Sequence, residues 1–165
     1  METFKYSFFA KLIYRYGNII ATLMLSLHLI SSIYYMNEKF ILIIPALINA
    51  LIIIYLNKYF IMTYKFFPFK IIVDKNKLIC SNFFLSKKNV EIEFKNINEI
   101  TGGIFSGYPT KPIYIHDKSN NQTIGFYTHL KGFQKLLTII LQNIPENLYN
   151  ELLEKIQKKK KPTKI

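Results

Sequence analysis

The sequence predicts an α+β membrane protein, in which an N-terminal transmembrane helical hairpin precedes an antiparallel β domain closed by a C-terminal helix. Three observations support this fold class. Long apolar runs are concentrated in residues 18–64. Residues 66–127 instead alternate apolar and polar positions, which is typical of half-buried strands. Residues 130–143 then follow the 3.6-residue period of an amphipathic helix.

The hairpin is predicted from two apolar runs separated by a short polar segment. The first, residues 18–36, has nineteen residues without a formal charge, and as a helix it would measure about 28 Å, close to the hydrocarbon thickness of a bilayer. The second covers residues 40–60. Because only residues 37–39 separate the two runs, we expect antiparallel neighbouring spans within a hairpin of residues 18–64.

The charges that flank the hairpin predict its orientation. Basic residues precede the first span and follow the second, whereas the turn carries one Glu and one Lys: the flanking residues are Lys5, Lys11, Arg15, Lys58, Lys65 and Lys70. The positive-inside rule therefore predicts a multi-pass protein of the inner or plasma membrane with both termini in the cytoplasm.

Residues 1–17 are predicted to form an interfacial segment. Phe4, Phe8 and Leu12 recur every four residues, and the basic residues fall between them. This spacing is typical of a short amphipathic helix that lies in the headgroup region of the bilayer.

Two polar residues within the predicted spans are candidates for an intramembrane contact. His28 and Asn49 each lie near the middle of a span, where a polar side chain is costly unless it finds a partner. We expect His28 to hydrogen-bond Asn49 or a carbonyl group of the facing helix, and thereby to hold the hairpin together.

The β domain is predicted to occupy residues 65–145. Alternating segments between turn-forming residues predict strands at Lys70–Asp74, Lys77–Asn82, Val90–Phe94, Ile104–Ser106, Ile113–His116 and Thr123–Tyr127. An amphipathic helix follows from Leu130. Pro145 separates it from a second helical stretch and a basic tail, which together occupy residues 146–165.

This order of elements carries a family resemblance. The hairpin KIIVDKNKLICSN, the segment VEIEFKNINEI, the pair IYIHDKSNNQTIGFY and the helix from Leu130 follow a transmembrane hairpin directly. In this respect the chain resembles the small bacterial pleckstrin-homology-like (PH-like) domains of membrane proteins, over roughly residues 66–143. The resemblance implies a curved, seven-stranded antiparallel β-barrel capped by one helix, and a binding or assembly module as its role. It does not imply a particular ligand, since such barrels host many functions.

The charge distribution predicts an anion-binding surface. Residues 65–165 contain 17 lysines and eight carboxylates. Lysines near an anionic leaflet contribute about 1 kcal/mol each to membrane attraction. The candidate headgroup-binding residues are Lys75 and Lys77 at the first hairpin turn, Lys87 and Lys88 at the next, and the run Lys158, Lys159, Lys160 and Lys161. The alternative that these lysines are ordinary solvated residues stays open.

The sequence contains no catalytic motif, so a non-enzymatic protein without a cofactor is expected. Neither G-x-S-x-G nor H-E-x-x-H occurs, and His116 and His129 lack a third ligand for a metal site. Cys80 lies in an apolar run and is expected to be a buried side chain. The aromatic residues lie at core spacing and are not interleaved with lysines, so nucleic acid is not expected as a partner.

The function expected from these observations is that of a membrane-anchored adaptor. Its cytoplasmic domain would contact the anionic membrane surface or a protein partner, and a homo-oligomer also stays open. The alternative is a subunit or regulator of a larger transport or envelope complex, assembled through the transmembrane hairpin. The two hypotheses differ in the surface they use: loop lysines in the first, His28 and Asn49 in the second.

Overall fold

The computed structural model describes residues 1–108 and 110–160, except for the side chains of Lys159 and Lys160. The chain forms two compact units. The helical unit is Phe8–Lys65, and the β unit combines Met1–Ser7 with the described residues from Phe66 onward. The predicted α+β class is confirmed, with two long apolar helices near the N-terminus followed by antiparallel sheets.

The helical unit consists of α1 (Phe8–Tyr34) and α2 (Ile43–Phe66), joined by short 3₁₀ turns at Tyr35–Asn37 and Phe40–Leu42. Both helices are long and apolar enough to cross a membrane. α1 begins before the predicted span 18–36 and α2 ends after the predicted span 40–60, because a drop in hydropathy near Arg15 or Lys58 does not break a helix. Pro45 lies in the first turn of α2, where a backbone N–H has no helical partner in any case.

The β unit contains seven strands: β1 (Glu2–Lys5), β2 (Pro68–Val73), β3 (Lys77–Phe83), β4 (Val90–Glu93), β5 (Ile97–Gly102), β6 (Ile113–Asp117) and β7 (Gln122–Phe126). One sheet has the order β1-β2-β3-β4 and the other β5-β6-β7, and all neighbours are antiparallel. Helices α3 (Phe133–Asn143) and α4 (Glu146–Lys160) follow.

The core of the β unit follows the predicted alternation. Val90 and Ile92 of β4 are buried while Glu91 and Glu93 are exposed. The fully buried aliphatic side chains come from both sheets and from α3: Ile71, Leu78, Ile92, Ile97, Ile100, Ile113, Ile115, Ile124, Leu136 and Ile140. This shared core joins the two sheets and α3 into one unit.

The predicted closed barrel is not found. Among the described residues no ladder joins β4 to β5 or β7 to β1, so the sheets of four and three strands stay separate. The 3₁₀ turn Phe94–Asn96 interrupts the chain between β4 and β5. The outer side of β1 is met by the segment after β7, where the Lys131 N–H donates to the Lys5 carbonyl oxygen at 3.1 Å and Tyr6 bridges Leu130.

Two of the seven strands were not predicted: β5 lies where the sequence indicated no strand, and β1 lies in a part of the chain predicted to be helical. Glu2–Lys5 pairs with β2, with Phe4 opposite Ile71 and Lys5 opposite Lys70, so these residues are not part of an amphipathic helix. The spacing of Phe4, Phe8 and Leu12 was a misleading signal, because Phe4 is buried in the β unit while Phe8 and Leu12 belong to α1.

Two further predictions in the β unit are wrong. Ile104–Ser106 lies in a 3₁₀ turn and not in a strand, because Gly102 and Gly103 have φ of 80° and 48° and turn the chain out of the sheet. The first C-terminal helix begins at Phe133 and not at Leu130, since Leu130 is held in its bridge with Tyr6.

Candidate functional site

The loops of the β unit alternate between two ends, because each strand from β2 to β7 runs antiparallel to its sheet neighbour. β1 ends and β2 begins at the same end of the β unit, and we call it the linker end. Both connections to the helical unit start there: Tyr6-Ser7 leads from β1 to α1, and Phe67 is the one residue between α2 and β2. The opposite end, with the turn after Val73, is the distal end. Loops 84–89 and 103–112 and the segment 127–132 lie at the linker end, by register or by contact.

The register and the aromatic contacts support this assignment. Pro68 is opposite Phe83, so the β3–β4 loop starts beside the first residue of β2. The Phe67 ring lies 5.6 Å from that of Tyr114 in β6 and 4.7 Å from that of Tyr127, which follows β7. The start of β6 and the end of β7 are therefore at the linker end as well.

Charge is divided between the two ends. The linker end carries six lysines, and all are exposed except Lys70, which is half-buried: Lys5, Lys70, Lys87, Lys88, Lys111 and Lys131. No Asp or Glu occurs in residues 66–73, 83–89, 101–112 or 124–132. The carboxylates of the β strands lie in the distal half: Glu2, Asp74, Glu91, Glu93, Glu99 and Asp117. The linker end is thus uniformly cationic, whereas the distal end is mixed.

Two of the three carboxylates of helix α4 are paired within the helix. It contacts the turn Gly103–Ser106. Its Glu151 and Glu154 are paired with lysines of the same helix, with Glu151 Oε1 2.6 Å from Lys155 Nζ and Glu154 Oε2 3.5 Å from Lys158 Nζ. These carboxylates are therefore compensated within the helix itself.

The structure separates the two lysine pairs that the sequence predicted to act together. Lys77 and Phe83 are the first and last residues of β3, about 20 Å apart at roughly 3.3 Å per residue. Lys75 and Lys77 are consequently at the distal end. Lys77 Nζ also lies 2.6 Å from Glu91 Oε2, and this hydrogen bond raises the pKa of Lys77.

Lys87 and Lys88 are at the linker end, in the exposed β3–β4 loop. Lys88 Nζ lies 4.4 Å from the centroid of the Phe83 ring, which draws this lysine toward the strand end. Between them and Phe83 the loop presents Leu85, whose side chain is 87% exposed.

The predicted basic run at the C-terminus is described only in part. Lys158 is exposed and pairs with Glu154 as noted above. Lys159 and Lys160 are the last residues of α4, and their side chains lie outside the described part of the structure, as does the whole of Lys161.

In the helical unit, the polar side chains bond to one another. The structure brings His28 and Asn49 together, with Asn49 Nδ2 2.6 Å from His28 Nδ1. Asn18 Nδ2 donates to Asn57 Oδ1 at 3.0 Å, and Asn57 Nδ2 donates to Thr22 Oγ1 at 3.0 Å. These contacts fix α1 and α2 as an antiparallel pair and leave exposed apolar side chains along both helices.

A cleft of about 520 Å³ lies beside the turn of the helical hairpin. More of its lining surface is apolar than polar, and the lining residues include hydroxyl, imidazole and charged side chains as well as two apolar ones: His28, Ser31, Ser32, Tyr35, Glu38, Lys39, Leu42 and Pro45. The described residues contain no group of three His, Cys, Asp or Glu side chains placed to hold a metal ion.

Sequence reasoning missed four linker-end lysines, namely Lys5, Lys70, Lys111 and Lys131. A usable signal was present: in an antiparallel meander every second loop lies at the same end, and the loops at this end lack carboxylates. Lys5 could not be found in this way, because nothing in the sequence pairs β1 with β2 across the intervening helices.

Comparison of the chain with protein-family models, with curated proteins and with solved structures finds no match.

Proposed function

We propose that the chain is a two-span membrane protein, with the β unit serving as a non-enzymatic adaptor at the anionic cytoplasmic surface of the inner or plasma membrane. The length of α1 and α2 supports the membrane-spanning part of this proposal. So does their exposure, since side chains such as Leu23, Leu27 and Ile54 are each more than half exposed. A soluble protein would bury a run of this kind.

The observation that carries the proposal is the uniformly cationic linker end. If α1 and α2 span the bilayer, only Phe67 separates the last residue of α2 from the first strand residue at the linker end. Its lysines would then lie within reach of the headgroups. At about 1 kcal/mol for each lysine near an anionic leaflet, six lysines at one end of the β unit favour contact by several kcal/mol.

The basic residues of the helical unit support the proposed orientation. Lys11, Arg15, Lys58 and Lys65 lie toward the ends of α1 and α2 that continue into the β unit. The hairpin turn carries Glu38 and Lys39, which compensate each other. The positive-inside rule therefore favours a cytoplasmic β unit with both termini on that side.

The strand order supports the relationship to PH-like domains. Sheets of four and three antiparallel strands followed by α3 give the strand number and the closing helix that the resemblance implied, although the sheets are not closed into a barrel. In this interpretation the helical unit is an insertion between the first and second strands of the module.

The test is lysine acetylation of the full-length protein in nanodiscs, read by mass spectrometry. In discs that contain phosphatidylglycerol, we expect Lys87, Lys88, Lys111 and Lys131 to be protected, and high salt to weaken that protection. The distal lysines Lys75 and Lys118 are internal controls and should label equally in all discs. Equal labelling of the two ends in anionic discs would refute the proposed contact.

A second candidate function has one observation in its favour. The cleft at the hairpin turn could receive a side chain from another membrane protein, which would make the chain a subunit of a larger complex. Cysteine crosslinking from Ser31→Cys in native membranes would test this. A defined partner at stoichiometric yield supports the subunit, and the absence of a crosslinked product argues against it.

A further inference from the structure

Leu85 is an apolar side chain in an unusual backbone conformation at the surface of the β unit. Its φ is 56°, in the left-handed region that non-glycine residues rarely occupy, and its side chain is 87% exposed. The preceding residues Phe83 and Phe84 are buried. This backbone conformation therefore turns a leucine outward while its neighbours enter the core, and nothing in the described β unit covers it.

The register limits how far this leucine can lie from the end of α2. Phe83 is opposite Pro68, and antiparallel partners have Cα atoms about 5 Å apart. Pro68 is two residues from Phe66, the last residue of α2, a distance of at most about 7 Å. The Phe83 Cα atom is thus within roughly 12 Å of that of Phe66, and Leu85 is two residues further along.

The linker end, to which the Leu85 loop belongs, combines apolar and basic groups. Lys87 and Lys88 follow it in the same loop. The other long loop of the linker end presents Tyr108, which is 59% exposed and has Lys111 Nζ 4.2 Å from its ring centroid. Apolar and aromatic side chains bordered by lysines are typical of segments that enter the interfacial layer of an anionic bilayer.

We propose that Leu85 inserts its side chain below the headgroups of the leaflet at the linker end, with Tyr108 at headgroup depth beside it. The inference rests on the proposed function, because it requires that α1 and α2 span the membrane. It adds an apolar component to the electrostatic contact, so the β unit would remain on the bilayer when salt screens the lysines.

The chain contains no tryptophan, so Leu85→Trp introduces a unique fluorophore. In full-length protein in liposomes, we expect nitroxides near the top of the acyl chains to quench the fluorescence of this introduced indole. The matched control is Asn76→Trp, in the exposed distal turn, and its fluorescence should not be quenched. Equal quenching of the two variants would overturn the inference.

A second variant avoids the affinity of tryptophan itself for the interface. Leu85→Ser removes the apolar side chain, and in discs of zwitterionic lipid we expect acetylation of Lys87 and Lys88 to increase about tenfold relative to the wild type. No increase contradicts insertion. If insertion fails while anionic discs still protect the linker-end lysines, the proposed function stands without it; if that protection is also absent, both fail.

Discussion

Pro68 and Phe83 face each other across the β2–β3 ladder, and this pair holds the β3–β4 loop beside the residue at which the chain enters the β unit from α2. The same ladder places Val73 opposite Leu78 at its other end, so the β2–β3 turn is as far from that entry as the sheet allows. Two lysine-bearing turns of similar composition therefore occupy opposite ends of the β unit.

This separation predicts unequal effects of two double substitutions. Lys87→Gln/Lys88→Gln removes about 2 kcal/mol of attraction at the linker end, so acetylation of Lys111 and Lys131 in anionic nanodiscs should increase about tenfold or more. Lys75→Gln/Lys77→Gln is the matched control and should leave that labelling unchanged. The reverse ranking would show that the distal end faces the lipid.

The contact between His28 and Asn49 predicts a measurable coupling in the helical unit. Hydrogen bonds between membrane helices contribute on the order of 0.6–2 kcal/mol, so His28→Ala and Asn49→Ala should each destabilise the hairpin by about that amount. The double variant should cost less than the sum of the two. The measurement is unfolding in mixed micelles, with the exposed Ser31→Ala as a control. Additive single effects would mean that the two side chains do not interact.

Asp117 predicts an acid-sensitive turn between β6 and β7. Burial raises the pKa of its carboxyl, but hydrogen bonds from the side chains and backbone N–H groups of Ser119 and Asn120 outweigh burial and leave the pKa below its ordinary value. Because the folded-state pKa is lowered, this stabilisation is complete above the unfolded-state pKa of about 3.9 and is lost as the pH falls through the lower folded-state value.

The measurement is the urea midpoint of the β unit in detergent over a pH series. At neutral pH, Asp117→Asn should lower the free energy of unfolding by about 1–3 kcal/mol, since hydrogen bonds to a charged acceptor are stronger than those to an amide. The variant should also lose part of the pH dependence below about pH 4. An unchanged pH profile would assign the acid sensitivity to other carboxylates.

Gly102 predicts a strong steric effect at the start of the β5–β6 loop. A Cβ atom at this position would lie 2.0 Å from the Pro112 carbonyl oxygen, and φ is 80°. Gly102→Ala should therefore destabilise the β unit by more than about 2 kcal/mol, in urea unfolding of the full chain. Gly17→Ala in α1 is the control. The nearest atom to its added Cβ is Ile13 Cγ2 at 3.9 Å, and alanine favours a helix. Equal destabilisation by the two substitutions would contradict the steric explanation.

The parts of the fold predicted from sequence are those with local periodic signals. The apolar runs around His28 and Asn49 and the alternation of Val90, Ile92 and Phe94 depend only on neighbouring residues, and their helices and strand are found. The pairing of Phe4 with Ile71 could not be inferred in this way, because no local pattern reports a partner so distant in the chain. The division of most of the lysines between two ends could have been inferred, because it follows from the alternation of loops in an antiparallel meander.

Residues 6–67 separate β1 from β2, so if α1 and α2 span a membrane as proposed, synthesis and folding of the β unit would be linked to the insertion of the helices. At about 5–20 residues per second, β1 leaves the ribosome several seconds before the strand it pairs with. During that interval Phe4 has no core to enter. If only one helix crossed the bilayer, β1 and β2 would be left in different compartments, and the four-stranded sheet could never assemble. Correct biogenesis of the hairpin is therefore a precondition for the native β unit, and a chain that misinserts would present an unfinished sheet to quality-control proteases.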